Sequence, residues 1–236
     1  GQSIGMKDET AARCFATHNL TLSLMISLVW ASILFFFSVP IVDFYELKSH
    51  IADNAVNYLR IVSTAFPFVF MSAAATGIFN ASGRSKIPFT INGIGLAINM
   101  ILDPLFIFVF DWKTDGAAWA TWIAQACVFF FFVYQLKYKQ ILWEEFRFFG
   151  KLKRIYTTRI IKIGLPVACL NTLFAFVNMF LGRTASTVGG HIGLMAMTTS
   201  GQIEAITWNT SQGFSTALSA FVAQNYAARR INRVMK

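Results

Sequence analysis

Residues 1–10 read "GQSIGMKDET" and residues 223–232 read "AQNYAARRIN". Aligned on their glutamines, Gln2 matches Gln224, Gly5 matches Ala227 and Lys7 matches Arg229. One short pattern therefore stands near both ends of the chain. How the two copies are related depends on what separates them.

The residues between are strongly apolar. Of 236 residues, 56% are hydrophobic and only 13% are charged, with 25 Phe and a mean hydropathy of +0.55. An ordinary soluble domain is about a quarter charged. So few charges cannot cover a water-facing surface, so the outer surface is expected to face lipid. Cys14, Cys127 and Cys169 are far apart, and His18, His50 and His191 are scattered. Neither set has the spacing of a metal site or a disulfide framework. The first residues carry no initiator Met and no leading apolar segment, so the chain is expected to begin within something longer.

A membrane helix needs about 20 mainly apolar residues. Six stretches qualify: Phe15 to Val39, ending at Pro40, then Tyr58 to Phe79, Ile87 to Phe110, Gly116 to Leu136, Ile161 to Leu181 and Ile192 to Val222. The last is interrupted by "TTSGQIEAITWNTSQG", which is polar enough to require burial against protein or a water-filled cavity. Six crossings place Lys7, Arg13, Arg84, Lys86, the basic run Lys137 to Lys162, and Arg229 to Lys236 on one side. The other side receives Lys48 and Lys113 beside Asp43, Glu46, Asp53, Asp111 and Asp115. The positive-inside rule puts the first set in the cytoplasm. The net charge of +9 is then topological, and nucleic acid is not expected as a partner. The stretch "KYKQILWEEFRFFGKLKRIYTTR" interleaves Trp143, Phe146, Phe148 and Phe149 with charges, as in a helix lying among headgroups. It is expected to tether two bundles along the membrane surface.

An even number of spans separates the two copies of the opening pattern, so both lie on the cytoplasmic face. A repeat that keeps its orientation relates two halves by an axis along the membrane normal. If the second copy ends a span, so should the first, and the chain is expected to continue on both sides.

In this order, "GQSIGMKDETAAR", "YLRI", "GIFNASGRSKIPF", "NMILDPLFIF", "DGAAWATWIAQ", "IKIGLP" and "GQIEAITW…GFSTALSAFVAQNYAARR" resemble the multidrug and toxic compound extrusion (MATE) transporters. The resemblance covers nearly the whole chain. It implies an all-α integral membrane protein, a polytopic bundle with six membrane spans drawn from the two parallel-repeat lobes of a twelve-helix transporter. Residues 1–136 would be the C-terminal part of the first lobe, 137–160 a basic amphipathic cytoplasmic linker, and 161–236 the start of the second lobe. It further implies no enzyme and no cofactor, and a multi-pass protein of the plasma (inner) membrane, monomeric when full length. Such a protein exports small amphipathic or cationic substrates by antiport with H⁺ or Na⁺. The alternative within the superfamily is a lipid-linked oligosaccharide flippase, which a cationic track across the cavity would favour. A membrane-embedded enzyme would need HExxH or a Ser–His pair within the spans, and neither is present.

The chemistry centres on "LAINMILDPLFIF". An ionised carboxylate deep in a bilayer costs about 2.5–3.5 kcal/mol even on the lenient insertion scale, so Asp103 must face a polar interior. Asn99 lies four residues earlier on the same helical face. Pro104 has no backbone N–H and frees a nearby carbonyl. Together these supply oxygens for a proton or a hard cation such as Na⁺. From position alone, Asp103 could instead cap a loop or pair with an Arg near the outer end of its span. The resemblance implies a cation-coupling site at Asp103, Asn99, Thr121 and Tyr58, with no metal beyond Na⁺ at Asp103 and Asn99. Glu204 is the second intramembrane carboxylate. With Gln202 and Asn209 it is a candidate second-lobe proton or substrate site, or simply a buried acid with a polar partner. Arg60 and Arg183 are expected to snorkel outward, and "FFFF" at 129–132 to face lipid. Gly77, Gly83, Gly93 and Gly95 are expected to serve close packing and turns, and Pro67 and Pro166 to bend their helices.

Overall fold

The computed structural model describes residues 1–47, 49–138, 148–150 and 152–234. Trp143, Phe146 and the surrounding basic run, together with Lys48, Lys151 and Lys236, lie outside the described residues. What is described is helical throughout, with no strand. In order come α1 (Gln2–Gly5), α2 (Glu9–Phe36), α3 (Ser38–Asp43), α4 (Ser49–Ala81), α5 (Lys86–Pro104), α6 (Lys113–Val133), α7 (Arg154–Ala227) and α8 (Ile231–Val234). Short π-helical segments, Leu105–Val109 and Tyr134–Tyr138, continue α5 and α6. Five helices, α2 and α4 to α7, are long and apolar enough to cross a membrane.

The sixth crossing is hidden within α7, whose 74 residues break at Gly190 (φ 59°, ψ −153°). That backbone conformation is open essentially to glycine alone. The two limbs then fold back on each other. The Phe174 ring stacks on Trp208 at 6.5 Å, and a Cβ on Gly193 would stand 2.5 Å from the Ala185 carbonyl oxygen. Pairs converging so evenly on Gly190 describe an antiparallel hairpin, so the expected fifth and sixth spans are both present.

Helix ends differ from expectation in one instructive place. The first span stops at Phe36, not at Pro40. Pro40 instead sits in the first turn of α3, where a missing N–H costs nothing because no intrahelical acceptor awaits it. Between α4 and α5 the chain turns at Gly83 (φ 75°), and the Arg84 N–H reaches back to the Phe79 carbonyl at 3.0 Å. This is a left-handed helix terminus of the Schellman kind.

α4 is the centre of the N-terminal bundle. On one side Met71, Ala74 and Ile78 pack on Ala16 and Leu20 of α2. On the other, Ala75 and Phe79 join Ile91, Val128, Phe132 and Leu136. The expected lipid-facing run at 129–132 is therefore divided. Phe130 and Phe131 are exposed, but Phe132 is buried against Phe79, with ring centroids 6.0 Å apart, and Phe129 lies against Phe68. Four consecutive helical residues span more than one face, so they cannot all look outward. Of the glycines expected at close contacts, Gly95 does meet Val128, whereas Gly77 and Gly93 have nothing within 4 Å. Hydroxyls along the spans, such as Thr21, Ser63, Thr90 and Thr184, donate to carbonyls one turn back. This satisfies them without water.

The turn joining the third and fourth spans is tight. The Trp112 N–H donates to the Phe106 carbonyl at 3.0 Å, and a Cβ on Gly116 would lie 2.8 Å from that same oxygen. In an open helix Gly→Ala stabilises by roughly 0.5–1 kcal/mol. Here the sign reverses: Gly116→Ala is expected to destabilise by about 1–3 kcal/mol, the usual range for overpacking. Thermal unfolding of the purified protein in detergent checks this as a lowered Tm.

The two copies of the opening pattern prove to be one structure built twice. In the first, Met6 N–H donates to Gln2, Lys7 to Ile4 and Asp8 to Ser3. In the second, Ala228 donates to Gln224, Arg229 to Tyr226 and Arg230 to Asn225, position for position. Lys7 (φ 60°) and Arg229 (φ 57°) adopt the same left-handed conformation. A new helix starts two residues later in each, at Glu9 and at Ile231.

The copies also touch. A Cβ on Gly1 would stand 3.2 Å from Ala223 Cβ, and one on Gly5 3.0 Å from Ala227 Cβ. Equivalent positions contacting one another is what a two-fold axis passing between them requires. The axis explains the sequence, since Gly1 and Gly5 face Ala223 and Ala227, four apart in each copy. Small residues at that spacing let helix backbones approach closely.

Candidate cation site and its relatives

α5 places Asn99 and Asp103 one turn apart, and Asn99 Nδ2 donates to Asp103 Oδ1 at 3.3 Å. Both side chains are half-buried. No cationic side chain pairs with Asp103 among the described residues. The Asn99 bond leaves Asp103 Oδ2 and the Asn99 amide oxygen available. Immediately beyond, Pro104 ends the α-helix and Leu105–Val109 continues as π-helix. Such local bulges release carbonyls from the regular ladder. The free acceptors at this point are oxygens, which suit a proton or a hard cation.

Tyr58 on α4 and Thr121 on α6 are also half-buried, and among the described residues no hydrogen bond joins either to Asp103. At 1.5 Å per residue, Tyr58 lies about 14 Å from Ser49, Asp103 about 9 Å from Val109 and Thr121 about 12 Å from Lys113, measured along their helices. α6 packs against both α4 and α5. The three thus stand on helices of one bundle, and among the described residues a hydrogen bond joins Asn99 to Asp103.

The second-lobe candidates are arranged differently. Glu204, Gln202 and Asn209 are all exposed, and no hydrogen bond joins them to one another. On a helix, residues two and five apart point to different faces. They do not form a cluster. No group of three or more His, Cys, Asp or Glu side chains that could hold a metal ion occurs among the described residues.

Three arrangements escaped the sequence reading. Arg60 does not extend freely outward, because its Nε donates to Ser38 Oγ at 2.9 Å and ties α4 to α3. Arg183 is likewise engaged, in an ion pair with Glu46 at 2.6 Å. His18 is buried and holds the chain near the start of α7. Its Nε2 accepts the Lys153 N–H at 2.7 Å, so Nδ1 carries the proton donated to the Cys14 carbonyl at 2.6 Å. Each contact joins residues far apart in sequence except the last, so periodicity gave no signal for them.

A family profile described as MatE matches residues 1–105. The chain is 26% identical over 250 residues to the "Probable multidrug resistance protein YoeA" of Bacillus subtilis, covering 99% of this chain and 52% of that protein. It is 25% identical over 179 residues to the "Multidrug export protein MepA" of Staphylococcus aureus, covering 75% of this chain and 40% of that one. The chain is thus similar to MatE proteins over its first 105 residues and to these two proteins over most of its length. It spans about half the length, or less, of these curated relatives.

Solved MATE structures share the fold. One described as "MATE in the bent conformation" superimposes with a TM-score of 0.83 at 21% identity, covering 99% of this chain and 52% of that one. Outward-facing and inward-facing structures of a multidrug resistance MATE family transporter each superimpose with a TM-score of 0.82, at 23% and 22% identity. Each matches 99% of this chain, and 52% and 53% of its own length respectively. The MatE profile ends at residue 105, so it includes Asn99 and Asp103 but not Thr121 or Glu204.

Proposed function

We propose that this chain is the middle part of a secondary efflux transporter of the plasma membrane. Residues 1–136 supply helices of a first lobe, 137–160 the cytoplasmic linker and 161–236 the opening helices of a second lobe. The transporter exports small amphipathic or cationic compounds in exchange for H⁺ or Na⁺. The observation that carries this reading is Asp103, an acid within a membrane-spanning helix that accepts one amide hydrogen bond and pairs with no cation among the described residues. The relatives' descriptions as multidrug resistance and export proteins support the direction and kind of cargo.

Binding of H⁺ or Na⁺ at Asp103 and Asn99 neutralises a charge that is costly in the bilayer, so the ion favours whichever arrangement of helices encloses it. Thr121 and Tyr58, half-buried on the neighbouring helices, complete the set with oxygen ligands. No feature of the site favours a lipid-linked oligosaccharide as cargo.

The test is gradient-driven transport. The gene encoding this chain is expressed, and the product is reconstituted in liposomes with a fluorescent quaternary ammonium compound. An imposed proton or sodium gradient should drive dye against its own gradient, and collapsing that gradient should stop it. Dye movement indifferent to both gradients would overturn the reading. The gradient that works identifies the ion.

A further inference from the structure

Residues 44–46 lie at the outer end of the first span, between α3 and α4. They dock on residues 180–186, just before the hairpin turn of α7. Arg183 Nη2 donates to Glu46 Oε1 at 2.6 Å, and its guanidinium carbon sits 4.7 Å over the Phe44 ring. The Phe44 ring meets Phe180 edge to face at 5.7 Å. Ser186, which is buried, donates to the Tyr45 carbonyl at 2.7 Å. Gly182 makes room for Tyr45, whose Cε1 would lie 3.1 Å from an added Cβ. Glu46 itself has a left-handed backbone (φ 53°), which turns the loop toward its partner.

We propose that this contact is an outer latch between the two lobes, which parts when the outer side opens. Its chemistry suits a contact that must break repeatedly. The ion pair is 42% and 52% exposed, and pairs so exposed change an equilibrium by a factor of up to about five. A cation over an aromatic face adds a comparable amount. The Ser186 bond and the ring contact give the latch its register. Nothing in the set is a deeply buried charge that would lock it shut. At the opposite, cytoplasmic end the lobes meet through α1 and the end of α7, so the two contacts bracket the inter-lobe space from both sides. The purpose of opening rests on the export reading; the contact does not.

The test uses Ser186→Cys as reporter, with Cys14, Cys127 and Cys169 replaced by Ala, in cells expressing the gene that encodes this chain. A membrane-impermeant maleimide added outside should label the introduced thiol slowly, because the latch buries that position. Glu46→Arg or Arg183→Glu alone should speed labelling about three- to tenfold. The exchanged pair Glu46→Arg with Arg183→Glu should return it toward the original rate. The milder Glu46→Gln should fall between, which guards against misfolding of the reversals. Unchanged labelling in the single variants, or no recovery in the exchanged pair, would overturn the latch. Labelling is read without cargo or ion gradient. Failure of transport with a working latch therefore points to the export reading, and transport with indifferent labelling points to the latch.

Discussion

Asp103→Asn should reduce gradient-driven export to the level of cells lacking the transporter, while the protein still reaches the membrane. The two side chains are nearly equal in size, and the amide can still meet Asn99 across the 3.3 Å contact. Only the ability to exchange a negative charge for a bound ion is lost. An ion can shift a conformational equilibrium only by its differential affinity for the two states. Coupling free energies of about 1–3 kcal/mol correspond to 5–150-fold, so a loss of at least about fivefold in ion-driven export is expected. Resistance of cells to a cationic antimicrobial, alongside membrane quantity of the variant, checks it. Resistance equal to that of the unsubstituted protein would remove Asp103 from the mechanism.

Gly5→Leu should have the largest effect on how α1 meets the end of α7. Even a Cβ at this position would overlap the backbone carbonyl oxygen of Gln224 and stand 3.0 Å from Ala227 Cβ. A carbonyl within a helix cannot rotate aside as a side chain can, so the two helices must separate. Separation also strains the bond from Gln224 Nε2 to the Ala81 carbonyl, 2.6 Å long, which closes the C-terminal end of α4. Overpacking of about 1–3 kcal/mol changes the ratio of closed to open by roughly 5–150-fold. A disulfide reports it. With Gly1→Cys and Ala223→Cys the Cβ atoms would lie close to 3.2 Å apart, near the range of about 3.5–4.5 Å that a disulfide spans. Oxidation should cross-link this pair readily in the parent and at least about fivefold less in the Gly5→Leu variant. Equal cross-linking in both would mean that the glycine is not what allows the approach.

These two expectations differ in how far the sequence could anticipate them. Asp103 stands out in "NMILDPLFIF" because a carboxylate inside an apolar helix is expensive wherever the helix packs. Asn99 follows from helical spacing alone. The Gly5 contact is different. The pattern match announced a repeat. That the copies face each other across the axis, Gly1 against Ala223 and Gly5 against Ala227, required the helices to be placed.

By itself the sequence determined that the chain is helical, that several of its helices are long and apolar enough to cross a membrane, and where the acids within those helices lie. Those properties come from transfer free energies and helical period, which act on each segment locally. Tertiary structure alone decided that half of the "FFFF" run is core, that Gly190 folds one long helix into two crossings, and that Arg183 holds Glu46 instead of reaching for water. It also separated the candidate sites, joining Asn99 to Asp103 while leaving Glu204 exposed on a different face of its helix from Gln202 and Asn209. In lipid every apolar face is equally welcome outside, so hydrophobicity no longer tells a helix which side to bury. Small residues, ring contacts and a few polar bonds between distant segments make that choice.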